Sequence, residues 1–319
     1  MTASPVIAII VPCYDEEEVF PSTDQQLRQL MAHFIKEHLI SEMSRIVYVD
    51  DGSADNTWFF ISKACQDFPD YDAGIKLGHN VGHQNALLAG LELVKDWCDA
   101  AITIDADLQD DINVIADMIR KFNEGNEIVL GVRASRDSDT WFKRTTAQTF
   151  YKTMSGLGVE TVYNHADFRL MSARAIAELL RYKESNIFLR GIIPHIGLTQ
   201  TVVKYDRKAR KAGESKYPLK KMINFVVEGI TSFSIKPVRF VFIMGMIFVF
   251  IATIIFIYTL CRYFLHDVIE GWTSLMLSIW FCTGILLLGI GIIGEYVGKI
   301  FLEVKERPRY VIERKIGLP

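Results

Sequence analysis

Apolar positions in the first 130 residues gather into short runs, Val6 to Val11, Ile46 to Val49, Ala73 to Leu77, Ala101 to Ile104 and Glu127 to Leu130, each closed by Pro, Asp or Gly. Short, β-branched runs with such punctuation predict buried strands. Val6 to Val11 lacks a basic flank and is too short for a signal peptide, so it too reads as a strand. Between the runs, apolar residues step with helical spacing: Leu27, Leu30, Met31, Phe34 and Ile35, then Ala86 to Val94, then Ile112 to Phe122. The predicted order is β-α-β-α-β-α-β-α-β. It implies an α/β fold, a mainly parallel sheet flanked by helices, with ligands gathering beyond the carboxyl ends of the strands.

The pattern changes after residue 235. Phe240 to Leu260 is 21 residues without a charge, and Trp272 to Ile293 is 22 more. At about 1.5 Å per residue either stretch covers a hydrocarbon core about 30 Å thick, so two transmembrane helices are predicted. The connector Cys261 to Gly271 carries Arg262 against Asp267 and Glu270. Lys236 and Arg239 precede the first stretch, and Lys299, Lys305, Arg307 and Arg309 follow the second. Positive flanks mark the cytoplasmic side, so both termini and the N-terminal domain are expected there. Upstream, Leu219, Met222, Ile223, Val226, Val227 and Ile230 line one helical face after Pro218, with Lys216, Lys220 and Lys221 at its start. Such a helix suits the headgroup layer, while packing on the soluble domain is the plainer alternative. The expected division is a catalytic domain over 1–217 and an interfacial amphipathic helix over 218–235. Two spans, at about 240–260 and 272–293, then lie within 236–294, and a cytoplasmic tail covers 295–319.

Composition agrees with a mixed protein: half the residues are hydrophobic, yet 23% are charged. Residues 1–199 hold 18 Lys and Arg against 29 Asp and Glu, whereas residues 200–319 hold 17 against 9. The acidic part and the basic, apolar part are expected to do different jobs. Cys13, Cys65, Cys98, Cys261 and Cys282 are scattered without metal-ligand spacing, which argues against a disulfide scaffold or a zinc site.

Two acidic clusters follow predicted strands directly, Asp50-Asp51 and Asp105-Ala106-Asp107. Residues two apart in extended chain point the same way. Asp105 and Asp107 are therefore expected to converge, and like charges that converge invite a divalent cation. Mg²⁺ or Mn²⁺ takes one or two carboxylates, water and phosphate oxygens, and Gln109 could add a ligand or hold one in place. Acid pairs are common in turns, so their place behind a buried run is what singles them out. Ser53 or Asp55 could cap the next helix, leaving Asp50 and Asp51 to accept hydrogen bonds from a base or ribose. No GxGxxG follows a predicted strand, the one match at Gly289 to Gly294 lying within the second apolar stretch, and GxxxxGK[ST] does not occur, so acids and metal would hold a nucleotide.

Val11-Pro12-Cys13-Tyr14-Asp15-Glu16, Val49-Asp50-Asp51-Gly52-Ser53, Asn80-Val81-Gly82, Asp105-Ala106-Asp107-Leu108-Gln109 and Gly213-Glu214-Ser215-Lys216-Tyr217 occur in this order. In that order and over nearly the whole chain, the sequence resembles family 2 glycosyltransferases of GT-A fold. More narrowly it resembles the polyprenyl-phosphate glycosyltransferases, which include bactoprenol glucosyltransferases and dolichyl-phosphate mannose synthases. The resemblance implies that Pro12, Tyr14, Glu16 and Asp51 contact the donor nucleotide, with Asp50, Asn80, Gly82 and Lys216 beside it. It further implies that Asp105, Asp107 and Gln109 hold a metal on the diphosphate, which Arg210 also meets. Arg133 and Arg144 would grip the lipid phosphate, with Arg169 on the same side; a guanidinium offers phosphate paired donors that Lys does not. Asp167, in His165-Ala166-Asp167-Phe168-Arg169-Leu170, matches an active-site segment. A phosphate monoester has a second pKa near 6, so the acceptor needs no base, and Asp167 is expected to orient Arg169 or a sugar hydroxyl. His79, His83 and His165 have no partner at metal spacing and are assigned local hydrogen bonds.

The expected reaction is inverting transfer from a nucleotide-sugar, UDP-glucose first and UDP-N-acetylglucosamine or GDP-mannose next, to undecaprenyl phosphate. Asp107, Asp167 and Arg210 are the catalytic candidates. The expected setting is the bacterial inner membrane, in contact with its lipids; no nucleic acid is expected, and related members can associate as tetramers. A processive polysaccharide synthase would carry a QxxRW motif, and no Arg-Trp pair occurs. A non-catalytic protein that binds or flips polyprenyl phosphate is the alternative of another class.

Overall fold

The computed structural model describes residues 4–133, 165–184, 187, 189–205 and 271–318, together with part of 241–257. One compact unit holds residues 1–151, 160–216 and 308–319, and a second holds 152–159 and 217–307.

The first unit is built on an eight-stranded sheet. Its strands are β1 (Ile7–Cys13), β2 (Arg45–Asp50), β3 (Asp72–Leu77), β4 (Ala100–Thr103), β5 (Ile128–Arg133), β6 (His165–Ser172), β7 (Gln200–Tyr205) and β8 (Ile312–Ile316), in the order β7-β5-β6-β4-β1-β2-β3-β8. Helices α1 (Phe20–Lys36), α2 (Thr57–Asp67), α3 (His83–Val94), α4 (Ile115–Asn123) and α5 (Ala173–Leu180) intervene. β3, β2, β1 and β4 run parallel. Every residue of β1 is buried, as expected of a strand covered on both faces. Ile7, Ile9 and Val11 join Leu27, Met31 and Phe34 of α1 in one core cluster. Ile10 points the other way, to α3, where a Cβ on Gly90 would come within 2.5 Å of its Cγ2. Burying a side chain of this size stabilises by about 1.5–3 kcal/mol, and only glycine allows helix and sheet to approach so closely here.

The five predicted strands form with boundaries shifted by one to three residues, and three further strands join them. β6 enters antiparallel between β4 and β5, so the fifth run does not neighbour the fourth as simple alternation implies. Its Asp167 and Arg169 interrupt the apolar pattern that marks the other strands. β7 is exposed at every second residue, an edge rather than a buried strand. β8 comes from the stretch expected to be only a tail, and pairs antiparallel with β3.

In the second unit, Trp272–Val304 is one helix of 33 residues. Within it 281–304 is long and apolar enough to cross a membrane, and only this helix is so among the described residues. Ile279, Leu286, Leu287, Ile290 and Ile293 are exposed. The helix runs eleven residues beyond Ile293, through Glu295 and Lys299. Of the first expected span, the described residues between 241 and 257 are helical, and Ile243, Ile247, Phe250 and Ile254 are exposed. The expected amphipathic helix over 218–235 lies outside the described residues.

Candidate active site

β1, β2 and β4 end at one edge of the sheet, and the chain leaves each through a polar turn. Pro12 sits where β1 has already parted from β4 and pairs only with Val49 of β2, so its missing donor is tolerated. Tyr14 follows, 48% exposed. The turns after β1 and β2 are laced together. The Asp15 amide donates to Ser53 Oγ at 3.0 Å, and the Ala54 amide returns a bond to Asp15 Oδ1 at 2.8 Å. The Glu16 amide donates to Thr57 Oγ1 at 2.9 Å, and the Glu17 amide to Asp55 Oδ2 at 3.1 Å. Asp55 Oδ1 accepts from the Thr57 amide at 2.9 Å from just outside the helix, whose N-cap is Asn56 rather than the expected Ser53 or Asp55.

Asp51 reaches across to the turn between β3 and α3. Its Oδ1 accepts from the Val81 amide at 2.8 Å and its Oδ2 from the Gly82 amide at 3.0 Å. Burial pushes this carboxyl up, and the two amides draw it back. The contact brings Asn80 and Gly82 to the edge named for the donor. Gly82 has φ +88, which α3 needs at its start. Asp50 is fully buried. Its Oδ1 accepts from the Ser53 amide at 3.3 Å, and its Oδ2 has no hydrogen-bond partner among the described residues. Burial raises its pKa.

Asp105 and Asp107 do not lie on extended chain as the spacing implied. β4 stops at Thr103, and a turn follows in which the Leu108 amide donates to the Asp105 carbonyl at 3.2 Å, with Leu108 at φ +43. Thr23 Oγ1 of α1 donates to the Ala106 carbonyl at 2.5 Å and pins the turn. Asp107 accepts from the Gln109 amide at 3.3 Å and from Gln109 Nε2 at 2.6 Å. Gln109 therefore braces Asp107. The Asp105 side chain is 44% exposed overall, yet its Oδ1 is inaccessible and without a hydrogen-bond partner among the described residues. Burial raises its pKa; His83 opposes this, and Asp167, Asp110 and Asp107 add to it.

An inaccessible carboxylate oxygen with no hydrogen bond, 3.5 Å from His83 Nε2 and beside further carboxylates, fits a hard divalent cation. Among the described residues no three His, Cys, Asp or Glu side chains form a complete cage. Mg²⁺ and Mn²⁺ do not require one, since water and phosphate oxygens complete their shells.

Opposite the acidic turn stands a basic cluster around Asp167. Arg169 Nη2 donates to Asp167 Oδ1 at 2.6 Å, and Arg190 donates from Nη2 to Oδ2 at 2.7 Å and from Nε to Oδ1 at 3.2 Å. Burial alone would push the Asp167 carboxyl up. The two guanidiniums, with His83, overcome it and hold the group well below the usual carboxylate range. Both carboxylate oxygens are thereby engaged by guanidinium donors. Arg169 is wholly buried, with Nε and Nη1 unpartnered among the described residues. The side chain of Arg190, from the helical turn Leu189–Ile192, is 39% exposed. It is Arg190, then, that brings positive charge to the surface beside Asp167.

His83 joins the two clusters. Its Nε2 lies 3.5 Å from Asp105 Oδ1 and 3.7 Å from Asp167 Oδ2, a more central place than the local hydrogen bond expected of it. Gln84 Oε1 accepts from the Leu189 amide at 2.8 Å and ties α3 to the turn bearing Arg190. Arg190 escaped the sequence reading; its only local signal is an Arg-Gly pair inside the apolar stretch Ile187 to Ile193. Arg133 is the last residue of β5. Its side chain, like Arg144, Arg210 and Lys216, lies outside the described residues.

Residues 8–180 match glycosyl transferase family 2. The Bacillus subtilis (strain 168) glycosyltransferase YkoT is 53% identical over 312 residues, 98% of this chain and 92% of that protein. YkcC of the same organism is 37% identical over 98% of this chain and 94% of its own length. The SfII prophage-derived bactoprenol glucosyl transferase of Shigella flexneri is 36% identical over 310 residues, 97% of each chain.

Proposed function

Because the chain belongs to glycosyl transferase family 2, we propose that it transfers glucose from UDP-glucose to undecaprenyl phosphate with inversion, at the cytoplasmic face of a bacterial inner membrane. The observation that carries this reading is the pairing of an acidic turn, Asp105 to Gln109, with the Asp167–Arg190 cluster across His83. One side suits a diphosphate with its cation and the other a phosphate anion. Similarity over 97% of the length of a bactoprenol glucosyl transferase supports the choice of acceptor and sugar. UDP-N-acetylglucosamine and GDP-mannose are the alternative donors.

In this reaction an oxygen of the lipid phosphate forms a bond to the anomeric carbon as the bond to the donor diphosphate breaks, and the electron pair leaves with the diphosphate. The acceptor is already largely a dianion at neutral pH, so no side chain takes a proton from it. Arg190 offers fixed positive charge, and Asp167 holds that guanidinium in one orientation. Asp51 holds the loop carrying Asn80 and Gly82, Tyr14 offers an exposed ring to a base, and Asp50 offers an unpaired acceptor oxygen. Asp105 and Asp107 would hold Mg²⁺ or Mn²⁺, which when bound neutralises charge developing on the leaving diphosphate. Arg210 and Lys216 are assigned to the donor diphosphate, and Arg133 and Arg144 to the acceptor phosphate.

The helix Trp272–Val304 suits anchoring beside a lipid that cannot leave the bilayer. From its end to β8 the chain has only residues 305–311. Seven extended residues reach about 25 Å at most, less than a hydrocarbon core about 30 Å thick. A strand of the catalytic sheet so soon after the helix therefore supports an even number of crossings and a shared side for domain and chain end.

The test incubates detergent-purified protein with undecaprenyl phosphate, Mg²⁺ or Mn²⁺, and each labelled donor in turn, and counts label in the organic phase. Label from UDP-glucose is expected, with loss on chelation and in Asp107→Ala. No label from any donor would overturn the reading. Unchanged sugar-lipid output by Asp107→Ala in cells would favour a non-catalytic lipid-binding protein.

A further inference from the structure

The donor-side turn between β3 and α3 is held from two directions, and one of them is the far end of the chain. At 81–82 it is gripped by the Asp51 carboxylate. At its other end the Gly78 amide donates to the Val311 carbonyl at 2.9 Å. This bond extends the β3–β8 ladder, which pairs Gly74 with Ile316 and Leu77 with Ile312 and shifts register between Lys76 and Leu77. Between these anchors the backbone of His79 and Asn80 lies against Gly52, where a Cβ would come within 2.6–2.8 Å of it. The same segment touches α3 itself: the Tyr310 hydroxyl bonds the Glu92 carboxylate, nine residues along the helix that begins with His83. Arg309 donates to the Tyr182 carbonyl, and Lys76 Nζ lies 3.1 Å from Glu313 Oε2. Gly317 closes the strap at φ +70, where a Cβ would lie 2.7 Å from the Asp72 carbonyl.

We propose that residues 309–317 are a positioning strap for the donor nucleotide: by clamping Gly78 and α3, they set the loop 78–82 at the height where Asp51 can hold it. Naming the donor as the affected substrate rests on the function proposed above. Without the strap β3 is a bare sheet edge, and the loop keeps only its Asp51 anchor. The strap therefore acts mainly on nucleotide binding; toward the acceptor side, built on β6 and the turn bearing Arg190, it reaches through single bonds, from Arg309 to the Tyr182 carbonyl and, by way of α3, from the Leu189 amide to Gln84.

Two variants in the otherwise full chain test this. A stop codon after residue 308 removes the strap and keeps the long helix. Tyr310→Phe removes one hydroxyl and leaves the backbone ladder intact. For the truncation, the donor KM is expected to rise about tenfold or more while the acceptor KM stays within about twofold. A synthetic peptide of residues 309–319 should restore it in trans by re-adding the strand. For Tyr310→Phe a donor KM rise of about threefold is expected at unchanged kcat. Amide exchange at residues 79–82 should quicken in both variants, and this readout is independent of what the enzyme transfers. A wild-type protein inactive with every donor removes the reading of the reaction and leaves exchange to decide the strap. Unchanged exchange at 79–82 together with an unchanged donor KM overturns the proposal. So does a parallel change of donor and acceptor KM, the mark of a merely structural role. If the truncated chain aggregates, Tyr310→Phe decides alone.

Discussion

At the scale of single residues, the site is governed by which charges are already spoken for. Asp167 holds two guanidiniums and Asp51 two backbone amides, whereas Asp105 Oδ1 and Asp50 Oδ2 lack hydrogen-bond partners among the described residues. Arg190 contributes a charge whose orientation depends on both donors that face Asp167. Arg190→Lys keeps the charge and loses the fork. Transfer measured with labelled donor is expected to fall about 100-fold in both Arg190→Lys and Arg190→Ala, with the thermal transition retained. A lysine variant as active as wild type would show that orientation is irrelevant. Far from this edge, Asp72 at the start of β3 is wholly buried beside Asp24 and Arg28. Burial first, then the Asp24 charge, pushes its pKa up from 3.8 to about 8, against the pull of Arg28. Between these values the folded chain holds a proton that the unfolded chain has lost. Stability from this group is therefore intact below about pH 4 and falls by about 1.4 kcal/mol per pH unit until about pH 8. Asp72→Asn should remove that slope, so thermal unfolding from pH 5 to 9 is expected to show the variant gaining on wild type as pH rises. Parallel curves would show that Asp72 is ionised when folded.

At the scale of elements, the crevice is made by turns that hold one another rather than by any one motif. The turns after β1 and β2 exchange hydrogen bonds, the turn after β2 holds the turn after β3, and Thr23 of α1 pins the turn after β4. Gly52 is the point where this lacing is tightest. Gly52→Ala puts a Cβ into backbone at a φ of +67, which costs about 1–2 kcal/mol for the left-handed conformation alone. The displaced loop is expected to weaken donor binding about tenfold, read as KM for the nucleotide-sugar. An alanine variant with wild-type KM would mean that loop 79–82 lies away from the donor. The turn partners were only partly legible beforehand. The bond from the Thr57 amide to Asp55 follows from a position just before an apolar helix, but the cross-bonds from Asp15 and Glu17 join residues 38 or 39 apart. No local pattern encodes them.

At the scale of the whole molecule, a sheet with a buried core and an exposed apolar helix share one chain. The 33 residues of Trp272–Val304 span about 50 Å, more than a bilayer's hydrocarbon core needs. The protein is expected to stay with membranes through an alkaline carbonate wash and to require detergent for release; recovery in the wash supernatant would sink the membrane assignment. In inside-out vesicles, protease should reach both the catalytic domain and an epitope placed after Pro319. Protection of either one would break the even-crossing topology.

What the sequence alone determined is what depends on neighbours along the chain. Strands β1 to β4 and helices α1, α3 and α4 follow from local periodicity, as does the apolar stretch after Trp272, and the acids at the strand ends follow from their place next to those runs. The tertiary structure decided what depends on distant partners. It placed β6 between β4 and β5, set Arg190 on Asp167, put His83 between two acids, and returned residues 312–316 to β3. In each case the reason is physical. A strand inserted antiparallel carries polar residues that hide its period, and an ion pair or an edge pairing is stabilised by groups that chain order leaves far apart.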